Sequence, residues 1–219
     1  MDGFASWFDY ISSRTDLVLE GLTQTVVYVV FVTLAAGVTA VVVAVLTMRK
    51  PFAKELALAI SSVFLTIPSL ALFTIFIPLV GLGFTPSFIA LYLYAIMPIL
   101  RNTSTGLDSV DPSVLESAKG MGLTKWQVLI KVQLPLAWPV MLAGIRVAAL
   151  LTVGISAIAT LVAGGGLGDF IKSGLARLPL PNSLEAIWTG VLLSLALAFV
   201  IDSLLRGVGR LTTPRTKKA

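Results

Sequence analysis

The chain has 219 residues, of which 57% are apolar and only 12% charged, with a mean hydropathy of +0.96. That composition excludes an ordinary soluble domain and makes the bilayer the expected solvent. With no cysteine and no histidine, disulfide frameworks, thiolate or imidazole metal sites and Cys–His or Ser–His nucleophiles are excluded together, and only carboxylate chemistry stays open.

Residues 1–21 mix Trp7, Phe8 and Tyr10 with acidic side chains. They suit either a short helix lying in the membrane interface or a terminus without structure. The first long apolar run, 22–48, lacks the basic start, short apolar centre and small-residue cleavage site of a secretory signal, which predicts a retained span. Further runs at 56–80, 84–100, 138–162 and 186–205 reach or approach the roughly 20 residues needed to cross about 30 Å of hydrocarbon. The expected fold is therefore an all-α integral membrane protein with five spans over 22–205.

Pro68, Pro78 and Pro98 are predicted to interrupt or end the second and third spans. A helix kinked in this way needs neighbours to satisfy its freed carbonyls, so the spans belong in a bundle. No internal repeat or Gly/Ser linker marks a second domain.

The connection at about 101–137 is polar and carries its own helix punctuation. Asp111 followed by Pro112 predicts an N-cap and first helical position. Gly120 or Gly122 ends that helix, because glycine takes positive φ without a Cβ penalty. Thr124 and Gln127 have capping-box spacing and start a second helix. Leu134-Pro135 is predicted to end that helix, and Pro139 suits the first turn of the fourth span. Trp126, Leu129 and Ile130 are expected on one side, with Lys125 and Lys131 toward water or a partner. By spacing alone, the segment fits a connector packed beneath the bundle as well as it fits a docking element.

The fourth span is rich in Gly, Ala, Ser and Thr, which let transmembrane helices approach closely. Arg146 is its single ionisable residue at depth, while Glu55, Glu185 and Asp202 fall at span ends. Charge at depth implies a partner or a function, although snorkelling is the alternative two turns from the membrane edge. The residues 164–183 follow, then the fifth span and a basic tail, 206–219.

Lys and Arg accumulate on cytoplasmic loops. Placing the N-terminus outside and the C-terminus inside leaves only Arg14, Lys172 and Arg177 external. It also puts Arg49, Lys50, Lys54, Arg101, Lys119, Lys125, Lys131 and the tail residues Arg206, Arg210, Arg215, Lys217 and Lys218 in the cytoplasm. The net charge of +5 is then explained by anionic lipid rather than nucleic acid. Trp138 and Trp188 fall near opposite faces.

In the polar connection, Glu116-Ser117-Ala118, three residues, Gly122, nine residues and Val132-Gln133-Leu134-Pro135 closely resemble the EAA loop of permease subunits in ATP-binding-cassette importers that use an external binding protein. Ser117 for Ala and Val132 for Ile are the departures. The stretches "FLTIPSLALF", "LPLAWPVMLAGIR" and "AGGGLGDFI" are similar to permeases of osmoprotectant importers for glycine betaine, choline, carnitine and proline, and the likeness runs from about residue 20 to 205.

The resemblance implies a type I importer permease core of five helices in a bacterial or archaeal cytoplasmic membrane. It also implies a second permease subunit, identical or different, an external substrate-binding protein, and an ATP-binding subunit that holds ATP and Mg. Glu116, Ser117, Ala118, Gly122, Val132, Leu134 and Pro135 would couple to that ATPase. Gly122 would allow close backbone approach, and Ala118 would keep the contact face flat. Thr66, Pro68, Ser69 and Phe73 become candidates for the translocation pathway, and Asp169, Lys172 and Arg177 for binding-protein contact. The substrate would be glycine betaine or a similar osmoprotectant, with another small amine or amino acid as the alternative.

The family's aromatic cage for a quaternary ammonium belongs to the binding protein, so Phe64, Phe73, Phe76, Tyr92 and Tyr94 read as packing residues, with a place along the pathway as the alternative for some of them. No G-x-x-x-x-G-K-[ST] occurs, so ATP is expected on another chain, and no cofactor is expected here. A membrane-anchored helix-turn-helix is the remote rival, because Ala118 and Gly122 have the right spacing. The lack of a catalytic pair or an acid–histidine relay within the spans argues against an intramembrane enzyme or a proton-coupled transporter.

Overall fold

The computed structural model describes residues 2–212, so the tail residues Arg215, Lys217 and Lys218 lie outside the described residues. Helix α1, Asp2–Ser12, is followed by α2, Thr15–Thr47. The N-terminal segment is thus helical and docked: Trp7 Nε1 donates to Thr189 Oγ1 at 3.1 Å, and Tyr10 packs with Val18, Phe170 and Ala186. At 33 residues, α2 is about 50 Å long. It begins well before the predicted residue 22 and outreaches the hydrocarbon at one end.

The second predicted span is not one helix. Helix α3, Pro51–Thr66, and α4, Ser69–Val80, meet at a bend of 98°. Pro68 has no N–H to continue the ladder, and it holds Ile67 in extended backbone with ψ 130°. The Tyr94 hydroxyl donates to the Ile67 carbonyl, which anchors the corner to the next helix. Pro78 sits inside α4 without ending it.

Helix α5, Phe84–Asp108, is the centre of the bundle, with α2, α3, α4 and a later helix, α8 (Leu134–Ala159), packed around it. It continues unbroken through Pro98, against expectation. Pro98 is buried where α8 comes so close that a Cβ on Gly144 would sit 2.7 Å from the Pro98 carbonyl oxygen. Tertiary packing holds the helix there despite the missing donor. On the other flank, Ala36, Ala40 and Ala44 of α2 are fully buried at four-residue spacing, a small-residue seam for close helix approach.

Between α5 and α8 lie α6, Pro112–Gly120, α7, Lys125–Val128, and a π-helical turn, Leu129–Gln133. Leu134-Pro135 does not end the second hairpin helix. Leu134 keeps helical angles of −63° and −46°, and its N–H reaches back five residues to the Leu129 carbonyl. The wider π turn relieves the conflict of the proline ring with the preceding turn, so helix runs from Lys125 to Val162. After a 3₁₀ turn at Thr160–Val162, α9, Gly168–Ala176, and α10, Ser183–Thr212, complete the fold.

The described residues contain four helices long and apolar enough to span a membrane, or five spans if the bent α3–α4 pair counts as one. Successive passes place the α2, α5 and α10 starts with α9 at one end. The α2 and α5 ends, the α6–α7 hairpin and Thr212 lie at the other, where Lys54 pairs with Asp108. Trp138 and Trp188 fall at opposite ends, as expected, and Trp138 Nε1 donates to Thr212 Oγ1 at 2.6 Å.

Candidate coupling hairpin and transport surfaces

The hairpin is shaped by hydrogen bonds within it. Asp111 caps α6, its Oδ1 accepting from the Ser113 N–H at 2.8 Å, and that bond holds the carboxyl below the ordinary aspartate range. At the far end the Gly122 N–H donates to Lys119 O at 2.9 Å and the Leu123 N–H to Ala118 O at 3.3 Å. This pair is a Schellman closure, and it requires the left-handed backbone that Gly122 adopts with φ +85°. Thr124 and Gln127 then make both halves of the capping box, at 2.9 and 3.3 Å.

Glu116 and Ser117 are exposed on α6, and Ser117 Oγ donates to Ser113 O at 2.8 Å. Ala118 differs from expectation: at 1% exposure it is buried in the hairpin, so it sets the approach of α6 rather than a contact face. The apolar residues of α7 and the π turn also divide differently. Leu129 is buried at 5%, together with Val128, whereas Trp126 and Ile130 face outward, Trp126 at 63% exposure. One i,i+4 pair is left exposed, since the other apolar positions turn toward the bundle. Met121, at 74%, and Val114 extend the exposed apolar surface.

Val132 and Leu134 are half-buried and Pro135 exposed in the joint to α8. Gln133 Nε2 donates to Leu107 O at 3.1 Å, so the hairpin's return is tied to the end of α5 as well. Because α7 merges into a 38-residue helix, the helix-turn-helix alternative loses its separate recognition helix.

Of the pathway candidates, Thr66 and Pro68 are exposed at the α3–α4 corner and Ser69 is half-buried. Phe73 is fully buried in the core and offers no surface to a pathway, because α4 turns it toward the bundle. At the opposite end, Asp169 accepts from the Thr160 hydroxyl, and Lys172 Nζ donates to Thr160 O at 3.0 Å. Arg177 is exposed beside them.

The glycine segment before α9 is clasped by three side chains of α2. Gln24 Oε1 accepts from Gly166 N–H at 2.7 Å, Thr25 Oγ1 from Leu167 N–H at 3.0 Å, and the Tyr28 hydroxyl donates to Gly164 O at 2.7 Å. Sequence reasoning missed this clasp; polar residues 24, 25 and 28 at the head of an apolar run were its only signal. Arg146, open between pairing and snorkelling, is paired with Asp202 on α10.

The family described as binding-protein-dependent transport system inner membrane component matches residues 34–213. A carnitine transport permease protein of Listeria monocytogenes is 35% identical over all of this chain and 96% of its own length. A glycine betaine/carnitine/choline transport system permease protein of Bacillus subtilis is 43% identical over 68% of this chain and 67% of its own. An osmoprotectant import permease protein of Salmonella typhimurium is 36% identical over 84% and 87%. Among solved structures, an inward-facing conformation of the MetNI methionine transporter superposes with a TM-score of 0.79 at 23% identity, covering 92% of this chain and 99% of that one. The likeness at that identity is one of fold, that of a type I importer permease.

Proposed function

Because the chain belongs to the family of binding-protein-dependent transport system inner membrane components, we propose that it is the permease subunit of an ATP-driven importer for a small osmoprotectant such as glycine betaine or carnitine. The names of the relatives support that substrate class. The complete importer then comprises this chain, a second permease subunit, an ATP-binding subunit that holds ATP and Mg, and an external substrate-binding protein. It sits in a bacterial or archaeal cytoplasmic membrane with the N-terminus out and the C-terminus in, the orientation favoured by the Lys and Arg distribution.

The observation that carries the coupling role is the hairpin's exposed apolar surface on a stiff mount. Trp126, Met121 and Ile130 are exposed beyond the spans, where an aromatic anchor in a partner groove supplies most of the binding energy. The mount is continuous helix into α8 and a hydrogen bond from Gln133 to α5. Displacement of the docked hairpin by an ATPase would therefore move two core helices with it, the kind of two-ended linkage that alternating access needs. Glu116 adds a charge at the rim, and Gly122 fixes the turn. Thr66, Pro68 and Ser69, at the bend, remain the pathway proposal, and the exposed Asp169, Lys172 and Arg177 the contact for the binding protein.

The test is co-expression with the ATP-binding subunit and reconstitution in lipid, reading ATP hydrolysis with and without loaded binding protein for wild type and Gly122→Val, whose β-branched side chain cannot take the left-handed backbone of the turn. Loaded binding protein should stimulate wild-type hydrolysis, and the stimulation should vanish in the variant. An ATPase that fails to co-purify, or a variant that behaves as wild type, overturns the coupling assignment. Competition by glycine betaine, carnitine, choline and unrelated amino acids decides the substrate class.

A further inference from the structure

At the end of the protein opposite the hairpin, α1, the first turns of α2 and α9 enclose an open cavity of about 270 Å³. Its walls carry both signs of charge, Arg14 and Glu20 from the start of α2 and Asp169 and Arg177 from α9 and its end, with Tyr10 and Phe170 also in the lining. These residues come from two segments, 10–24 and 166–177, far apart in sequence. Ion pairs among the described residues are Lys54–Asp108, Arg146–Asp202 and Arg206–Asp202, so none of the four charges in the cavity neutralises another.

Each group is nevertheless held. The Arg14 guanidinium lies 4.2 Å from the centre of the Tyr10 ring, and its Nη1 donates to Ser13 Oγ at 3.2 Å. Glu20 Oε1 accepts from Gln24 Nε2 at 3.0 Å, and Asp169 Oδ1 accepts from the Thr160 hydroxyl. Both carboxylates keep a second oxygen, and both guanidiniums keep most of their five donors.

The charge pattern selects its ligand. A simple anion drawn to the two guanidiniums meets two carboxylates, and a simple cation meets the reverse. A small molecule carrying both a carboxylate and an ammonium satisfies both signs, with arginine forks for the carboxylate and the acids for the ammonium. The volume lies at the lower edge of the range for small-molecule sites, about 300 to 1,000 Å³, which limits the ligand to a few heavy atoms beyond its two charged ends. We infer that this cavity is a reception site for a small zwitterion on the external face of the permease, separate from the binding protein. The inference rests on the substrate class proposed above. A zwitterionic phospholipid headgroup offers the same chemistry from a second source.

The experiment uses the permease–ATPase complex without binding protein, in nanodiscs of phosphatidylglycerol alone, with radiolabelled glycine betaine in equilibrium dialysis. Binding should saturate and be displaced by unlabelled betaine. Equal concentrations of acetate or tetramethylammonium should displace it poorly. Arg177→Gln and Glu20→Gln should each weaken it by roughly tenfold. Repetition with phosphatidylethanolamine in the discs separates the sources: reduced betaine binding means that headgroups compete for the same zwitterion site, and unchanged binding assigns it to the solute alone. No saturable binding, equal displacement by acetate, or wild-type affinity in both variants overturns the inference. If the complete importer still transports betaine in that case, the proposed function stands without it. If transport of every osmoprotectant is absent while dialysis shows the charge-dependent binding, the substrate reading falls and the cavity remains a zwitterion site.

Discussion

Arg146 on α8 donates twice to one carboxylate oxygen of Asp202 on α10, from Nε at 2.9 Å and Nη2 at 2.6 Å, while the other oxygen pairs with Arg206 at 2.7 Å. One acid thus serves two guanidiniums, and its removal differs from removal of either base. Asp202→Asn leaves Arg146 unpaired at depth beside a second positive charge, whereas Arg146→Gln leaves Asp202 paired with Arg206. Asp202→Asn should lower stability by on the order of 2 kcal/mol, discounted for an Arg146 side chain that is one-third exposed, and Arg146→Gln by less. Thermal unfolding in nanodiscs reads the order, and equal losses would contradict the shared-acid arrangement.

Two glycines of α8 should respond oppositely to alanine. A Cβ on Gly144 would come within 2.6 Å of Asn102 Cβ and 2.7 Å of Pro98 O, while Gly154 has nothing within 4 Å. Gly144→Ala forces α5 and α8 apart and should cost about 1–3 kcal/mol. Gly154→Ala should be neutral or slightly stabilising. The same thermal assay measures both, and a harmless Gly144→Ala would refute the tight α5–α8 contact.

Trp126→Ala should leave insertion and thermal stability unchanged, because the side chain is mostly exposed in the isolated chain. It should weaken association with the ATP-binding subunit by about 2 kcal/mol, or roughly thirtyfold, if the indole is the anchor. Titration of the purified ATPase against the permease in lipid gives the number. Wild-type affinity would move the docking surface elsewhere on the hairpin.

Gly122 separates a conformational role from a contact role. The space around it is open, and its φ is +85°, so the penalty for a side chain is backbone strain of about 1–2 kcal/mol. Gly122→Asn, which tolerates this region, should retain most ATPase stimulation, and Gly122→Val should lose most of it. Equal loss in both variants would mean that a partner needs the surface bare.

The natural absence of cysteine makes orientation directly measurable. With the N-terminus out, Met121→Cys should react with an impermeant maleimide only from the cytoplasmic side, and Leu180→Cys only from outside. Both positions are well exposed. The reverse pattern would invert the topology.

Sequence alone determined the all-helical membrane character, the number of apolar passes when α3 and α4 count as one, and the punctuation of the hairpin. These were legible because their causes are local. Hydropathy over one segment decides its solvent, and the Asp111–Ser113 cap, the Gly122 turn and the Thr124–Gln127 box each close within a few residues. The tertiary structure decided what the prolines do: Pro68 makes a 98° corner held by Tyr94, whereas Pro98 and Pro135 lie in continuing helices, one buried against α8 and one relieved by a π turn. It decided that Ala118 and Phe73 turn inward while Trp126 turns out, because burial depends on which neighbour arrives. It also decided the Asp202 partner of Arg146 and the cavity shared by Arg14, Glu20, Asp169 and Arg177. Such groups meet only when packing brings distant segments together, and no spacing along the chain encodes that meeting.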